Sequence, residues 1–146
     1  MSGGGTGGHI FPAIAVADEI KKRFPEAEFL FIGANGKMEM EKVPQAGYKI
    51  IGLNIAGFDR GNLLKNVGLP FKVVSSLAKA RKAIIDFKPD FAVGTGGFAS
   101  GPALFMASAL GVPIFFFFFN SLPGKTNIFL AWRARAVFTA WSAMRA

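Results

Sequence analysis

The chain has 146 residues, 51% of them hydrophobic and 18% charged, with no cysteine, one histidine and a formal charge of +8. These figures fit a single α/β domain with a sizeable core, and exclude intrinsic disorder, a disulfide scaffold and a thiolate metal site. The lone His9 leaves little for another transition metal, and no cofactor is expected. Met1 leads straight into glycines without the basic and apolar start of a secretory signal, which makes the cytoplasm the default compartment.

In chain order, Gly3 to His9 is a glycine loop, and no strand is visible ahead of it. Phe11 to Phe24 follows with helical spacing: Ile14, Ala17 and Ile20 share one face, and Asp18, Lys21 and Lys22 another. Pro12 suits a first helical turn, where its missing N–H costs nothing. Glu28 to Gly33 reads as a buried strand, Lys37 to Gln45 as a short helix and Tyr48 to Leu53 as a second strand. Asn62 to Phe87 is a long helical stretch broken near Gly68 and Pro70. Phe91 to Gly94 is a short strand entering a second glycine loop, Gly94 to Pro102. A helix over Pro102 to Leu110, a strand over Pro113 to Phe119, a helix over Lys125 to Arg135 and a strand over Ala136 to Ala140 complete the chain. This alternation predicts a doubly wound, mostly parallel sheet in one domain spanning residues 1–146.

No charged residue lies between Asp90 and Lys125, and Gly101 to Phe119 is apolar enough to raise the question of a membrane span. The turn signal Gly111-Val112-Pro113 and the strand-forming phenylalanines after it argue instead for a helix followed by a buried strand.

Two glycine loops, each opening a helix, form the chemical signal. Free backbone N–H groups and the positive end of a helix dipole bind anions, typically phosphate. His9 closes the first loop, either as a general base toward a ligand held there or as a residue that braces the loop. Asn120, just past a strand end, is either a ligand-bonding amide or a turn residue leading into Ser121-Leu122-Pro123-Gly124.

Charge is unevenly spread. Residues 1–60 carry seven basic and seven acidic side chains, whereas residues 61–146 carry ten basic and only Asp86 and Asp90. Lys65, Lys72 and Lys79 recur every seven residues beside Leu63, Leu64, Val67 and Phe71. A continuous helix would align them into a stripe suited to an anionic bilayer, against the plainer reading of a solvated basic face. Nucleic acid fits less well, because no stacking aromatics are interleaved with the charges.

Gly3-Gly4-Gly5-Thr6-Gly7-Gly8-His9-Ile10-Phe11-Pro12-Ala13 resembles the opening of the MurG family of lipid II-forming N-acetylglucosaminyltransferases. Met38 to Pro44, Gly94 to Pro102 and Asn120 to Asn127 resemble the same family in the same order. The resemblance implies a Rossmann-like N-terminal half of a two-domain GT-B fold, with a UDP-sugar domain expected to lie outside this chain. It implies transfer of GlcNAc from UDP-GlcNAc to lipid I with inversion and without a metal, at the cytoplasmic face of the bacterial plasma membrane. By resemblance, Gly4, Gly5, Gly96, Gly97 and Ser100 hold the acceptor diphosphate, Thr6, Gly7, Gly8 and Asn120 contact substrate, and His9 is a candidate base. The segment from Leu63 to Lys82 would meet the membrane.

This chain departs from the family in lacking a visible first strand and in placing Phe117, Phe118 and Phe119 where polar side chains are usual. The chain alone is expected to show no transfer. The alternative expectation is a non-catalytic membrane-adsorbing or lipid-binding remnant of the domain.

Overall fold

A computed structural model of the chain describes residues 1–55, 67–118 and 125–139. Its elements are β1 (Ser2–Gly3), α1 (Gly7–Arg23), β2 (Leu30–Ala34), α2 (Glu39–Gln45), β3 (Lys49–Leu53), α3 (Leu69–Phe87), β4 (Ala92–Gly96), α4 (Ser100–Ala109), β5 (Ile114–Phe118), α5 (Lys125–Ala131) and β6 (Ala136–Thr139). All strand pairs are parallel, and the six strands lie in the order β3-β2-β1-β4-β5-β6. The doubly wound α/β reading therefore holds.

Successive strand residues face opposite sides of the sheet, so one strand feeds two cores. Phe31 joins Ile10, Ala13, Ala17 and Val43 beneath α1 and α2. Its neighbour Ile32 joins Leu53, Ala80, Ala83, Ile84, Ala103 and Ala107 beneath α3 and α4. A third cluster, Leu104, Ile114, Phe116, Phe118 and Leu130, seats β5 against α4 and α5. Each fully buried aliphatic or phenylalanine side chain contributes roughly 1.5–3 kcal/mol. The charge-free stretch resolves into α4 and β5, and among the described residues no helix is long and apolar enough to cross a membrane.

The phenylalanine run is absorbed by that packing. Phe116 and Phe118 are buried and stack at 5.3 Å, Phe115 meets Phe91 edge-on at 5.7 Å, and Phe117 stacks on Phe138 at 4.6 Å. Phe119 lies outside the described residues.

The expectation that no strand precedes the first glycine loop is corrected. β1 occupies the centre of the sheet, pairing Ser2 with Ile32 on one side and with Gly94 on the other. Two residues offer no hydrophobic period to read in a sequence, and this strand is defined by its neighbours. Ser2 is buried and its hydroxyl donates to Ile32 O at 2.8 Å. Below β1, between Leu30 of β2 and Ala92 of β4, lies a cavity of about 600 Å³ that also touches Met1, Phe24, Phe87 and Phe91.

Helix α1 also begins four residues earlier than its apolar spacing indicates, at Gly7, which places Pro12 inside the helix. The missing proline N–H leaves the Gly8 carbonyl without its usual partner four residues on. Glycine contributes no side chain to a hydrophobic pattern, so the glycine-built first turn was invisible to that pattern.

Tyr48, the single tyrosine, ties the start of β3 to α1. Its ring lies 5.3 Å from those of Phe29 and Phe31, and its hydroxyl donates to Asp18 Oδ1 at 2.6 Å. Burial first, then the bond to and charge of Asp18, push the phenol from 10.0 up to about 12. The folded state thus holds this proton more tightly than the unfolded one. The resulting stabilisation is complete below pH 10 and is lost as pH rises through about 12. Absorbance titration of the phenolate should show the high midpoint, and Asp18→Asn should lower it toward the value set by burial alone.

Candidate functional site

β1 and β4 are the adjacent central strands from which the chain winds in opposite directions. In open parallel sheets the ligand crevice lies at this switch, beyond the carboxyl ends of the strands. Both glycine loops leave the sheet there, one entering α1 and the other α4.

The loops are bonded to one another. Thr95 Oγ1 donates to His9 O at 2.6 Å, His9 Nδ1 bonds to Thr95 O at 3.1 Å, and Gly4 N donates to Gly96 O at 3.4 Å. Gly97, with φ of +84°, packs so closely that a Cβ there would overlap Gly4 O and lie 3.2 Å from His9 Cδ2. Only glycine meets both demands.

A carbonyl oxygen can only accept, so the bond to Thr95 O requires the proton of a neutral His9 ring to sit on Nδ1. Nε2 then carries the lone pair. His9 is half-buried, held by a backbone partner and armed on its second nitrogen, which is the arrangement of a general base. The base and loop-brace readings of His9 are thus compatible in one side chain.

Neither α1 nor α4 has an acidic residue in its first turn, and neither start is capped by a side chain. Thr6 precedes α1 and is exposed, as is Gly8, where a Cβ would meet nothing closer than Thr6 Oγ1 at 3.9 Å. Such helix starts favour an anion.

Residues 1–139 match the family model described as the glycosyltransferase family 28 N-terminal domain. The chain belongs to that family. A relative from Christiangramia forsetii is 57% identical over 145 residues, and one from Parabacteroides distasonis 56% over 144. Both are named UDP-N-acetylglucosamine–N-acetylmuramyl-(pentapeptide) pyrophosphoryl-undecaprenol N-acetylglucosamine transferase. Each match covers 99% of this chain, which spans 40% and 39% of the respective relatives. The crystal structure of Acinetobacter baumannii MurG superposes with a TM-score of 0.83 at 30% identity, covering 97% of this chain and 40% of that one. A Streptomyces glycosyltransferase complexed with thymidine diphosphate aligns at 0.58 and 17% identity over 88% of the chain, a likeness of fold alone.

Within this family 28 domain, Gly4, Gly5, Thr6, Gly7, Gly8, His9, Gly96 and Gly97 gather at the switch between β1 and β4. Ser100 is buried there, with its hydroxyl donating to Gly97 O at 2.8 Å and so shaping the second loop. Leu63, Leu64, Lys65 and Asn120 lie outside the described residues. Val67, just before α3, and Phe71 and Lys72 near the start of that helix are exposed. Lys79 Nζ instead donates to Gly52 O at 2.6 Å, which ties α3 to β3.

Three contributors escaped the sequence reading. Thr95 bonds His9 in both directions, a role that its place in the second glycine loop does not indicate. Lys37 Nζ lies 6.0 Å from the centre of the Phe98 ring, whose edge covers Gly5. Glu39 is fully buried against the first loop. Only the Met38 to Pro44 motif pointed to that part of the chain, without indicating what Glu39 does.

Gly97→Ala tests the locking of the loops. The positive φ and the overlap with Gly4 O together should lower the unfolding free energy by about 3 kcal/mol, read from the urea midpoint.

Proposed function

We propose that this chain is the acceptor-binding and membrane-binding part of an inverting N-acetylglucosaminyltransferase that converts lipid I to lipid II. In this reading the paired glycine loops hold the diphosphate of undecaprenyl-diphosphate-MurNAc-pentapeptide. His9 Nε2 accepts the proton of the MurNAc 4-hydroxyl as that oxygen attacks the anomeric carbon of UDP-GlcNAc. The anomeric carbon–oxygen bond to UDP breaks, and UDP leaves with the bonding pair. The observation that carries the reading is the His9–Thr95 pair, which fixes a basic nitrogen between two anion-suited helix starts.

The reading also places the chain peripherally on the cytoplasmic face of the bacterial plasma membrane. Its support is the first part of α3 and the residues before it, where Val67, Phe71 and Val74 are 71%, 80% and 67% exposed beside Lys72. Apolar side chains flanked by a lysine suit the interface of an anionic bilayer.

Gly8→Asp separates binding from folding. The new side chain has open space, and an acid in the first turn of α1 complements the helix dipole by roughly 0.3–1 kcal/mol. Thermal stability should hold or rise, while affinity for a short-chain polyprenyl diphosphate falls about tenfold or more by charge repulsion. Equal affinity in calorimetric titration would count against the diphosphate cradle.

For the membrane face, Phe71→Ser should weaken sedimentation about tenfold with anionic and neutral vesicles alike, and Lys72→Glu at least fivefold with anionic vesicles but little with neutral ones. Unchanged partitioning of both variants would remove α3 from the membrane contact.

A further inference from the structure

Glu39, the first residue of α2, is the one fully buried charged side chain among the described residues. It makes no ion pair within them. Its partners are backbone amides: Gly5 N donates to Oε1 at 3.2 Å and to Oε2 at 3.1 Å, and Ala34 N donates to Oε1 at 3.0 Å. The fit leaves no slack. A Cβ on Gly4 would overlap the carboxylate, and one on Gly33 would lie 2.5 Å from Glu39 Cγ.

A buried carboxylate without a counter-ion is costly and persists where charge-assisted hydrogen bonds hold it. Here those bonds join three segments: the first glycine loop, the end of β2 and the start of α2. They also occupy the Gly5 N–H, an amide that a diphosphate in the loop would otherwise seek. Gly5 has φ of +89°, so the carboxylate holds the loop from behind in a left-handed turn.

We propose that Glu39 is the positioning residue of the first glycine loop. It fixes Gly5 so that the acceptor diphosphate is met by the amides at the start of α1 and by the second loop, and not by Gly5 itself. This rests on the diphosphate reading given above. Electrostatics alone would oppose such a residue, since a negative charge beneath an anion site repels the ligand. The geometry it imposes outweighs that repulsion, and this conflict supplies the test.

Glu39→Gln keeps the shape, removes the charge and turns an N–H₂ donor toward the Gly5 or Ala34 amide. Calorimetric titration of the chain with farnesyl diphosphate should show affinity reduced at least tenfold. The Gly5 amide proton resonance should move upfield as its carboxylate bond is lost. Tighter binding would mean that Glu39 acts only through its charge, and unchanged affinity with a lower melting temperature would mean a purely structural role; either overturns the proposal.

The wild-type spectrum supplies a second measurement if Glu39→Gln fails to fold. Farnesyl diphosphate should shift the Gly7 and Gly8 amides and leave Gly5 in place, and a Gly5 shift as large as theirs would overturn the proposal. If the wild-type chain binds no farnesyl diphosphate, the diphosphate reading fails. The Gly5 amide of Glu39→Gln then reports separately on whether the carboxylate holds the loop.

Discussion

His9 and Thr95 exchange two hydrogen bonds across the gap between the glycine loops, and the arrangement of the site depends on them. One bond uses the Thr95 hydroxyl and the His9 carbonyl; the other uses the His9 ring and the Thr95 carbonyl. Both residues therefore have backbone and side chain engaged, so neither can rotate freely. The tautomer of the imidazole follows from this clasp, and Gly97, where a Cβ would overlap Gly4 O, lets the loops close upon it. Neutral partners suffice for it, which leaves the electrostatic field of the helix starts available to a ligand.

The elements around the clasp divide the remaining work. β2 delivers Phe31 and Ile32 to opposite cores and so anchors the sheet beneath both layers of helices. α4 packs against α3 and against β5, where Phe116 and Phe118 stack on one another. The basic excess after residue 60 lies away from the clasp where it is described. Lys72 is exposed on α3, Lys79 is turned to the sheet, and Lys82 is paired with Asp86 at 2.6 Å.

Much of this was legible in the sequence because α/β alternation leaves a strong trace. Buried strands such as Leu30–Ala34 read as apolar runs, and helices such as Leu69–Phe87 carry a face of small apolar residues. The paired glycine loops announced the crevice, and His9 could be singled out as the only histidine beside it. What stayed hidden depends on contacts between distant residues. β1 is too short to have a period, and Thr95 gains its role from a partner 86 positions away. Glu39 looks like an ordinary acidic residue in a first helical turn until the fold presses a glycine loop against it. The seven-residue lysine spacing was real, yet the sheet edge captured Lys79.

The shortness of β1 has a mechanical meaning. A strand of two residues joins β3-β2 to β4-β5-β6, so the sheet's own ladder is thinnest at its centre. The helices supply the rest of the joint, because Ile32 and Leu53 share one core with Ala103 and Ala107 of α4. At the upper end of β1 the two strand groups are also stitched by Gly4, His9, Thr95 and Gly96. Widening the crevice would therefore strain the core that α3 and α4 share, so the width of the site is set by packing as well as by its stitches.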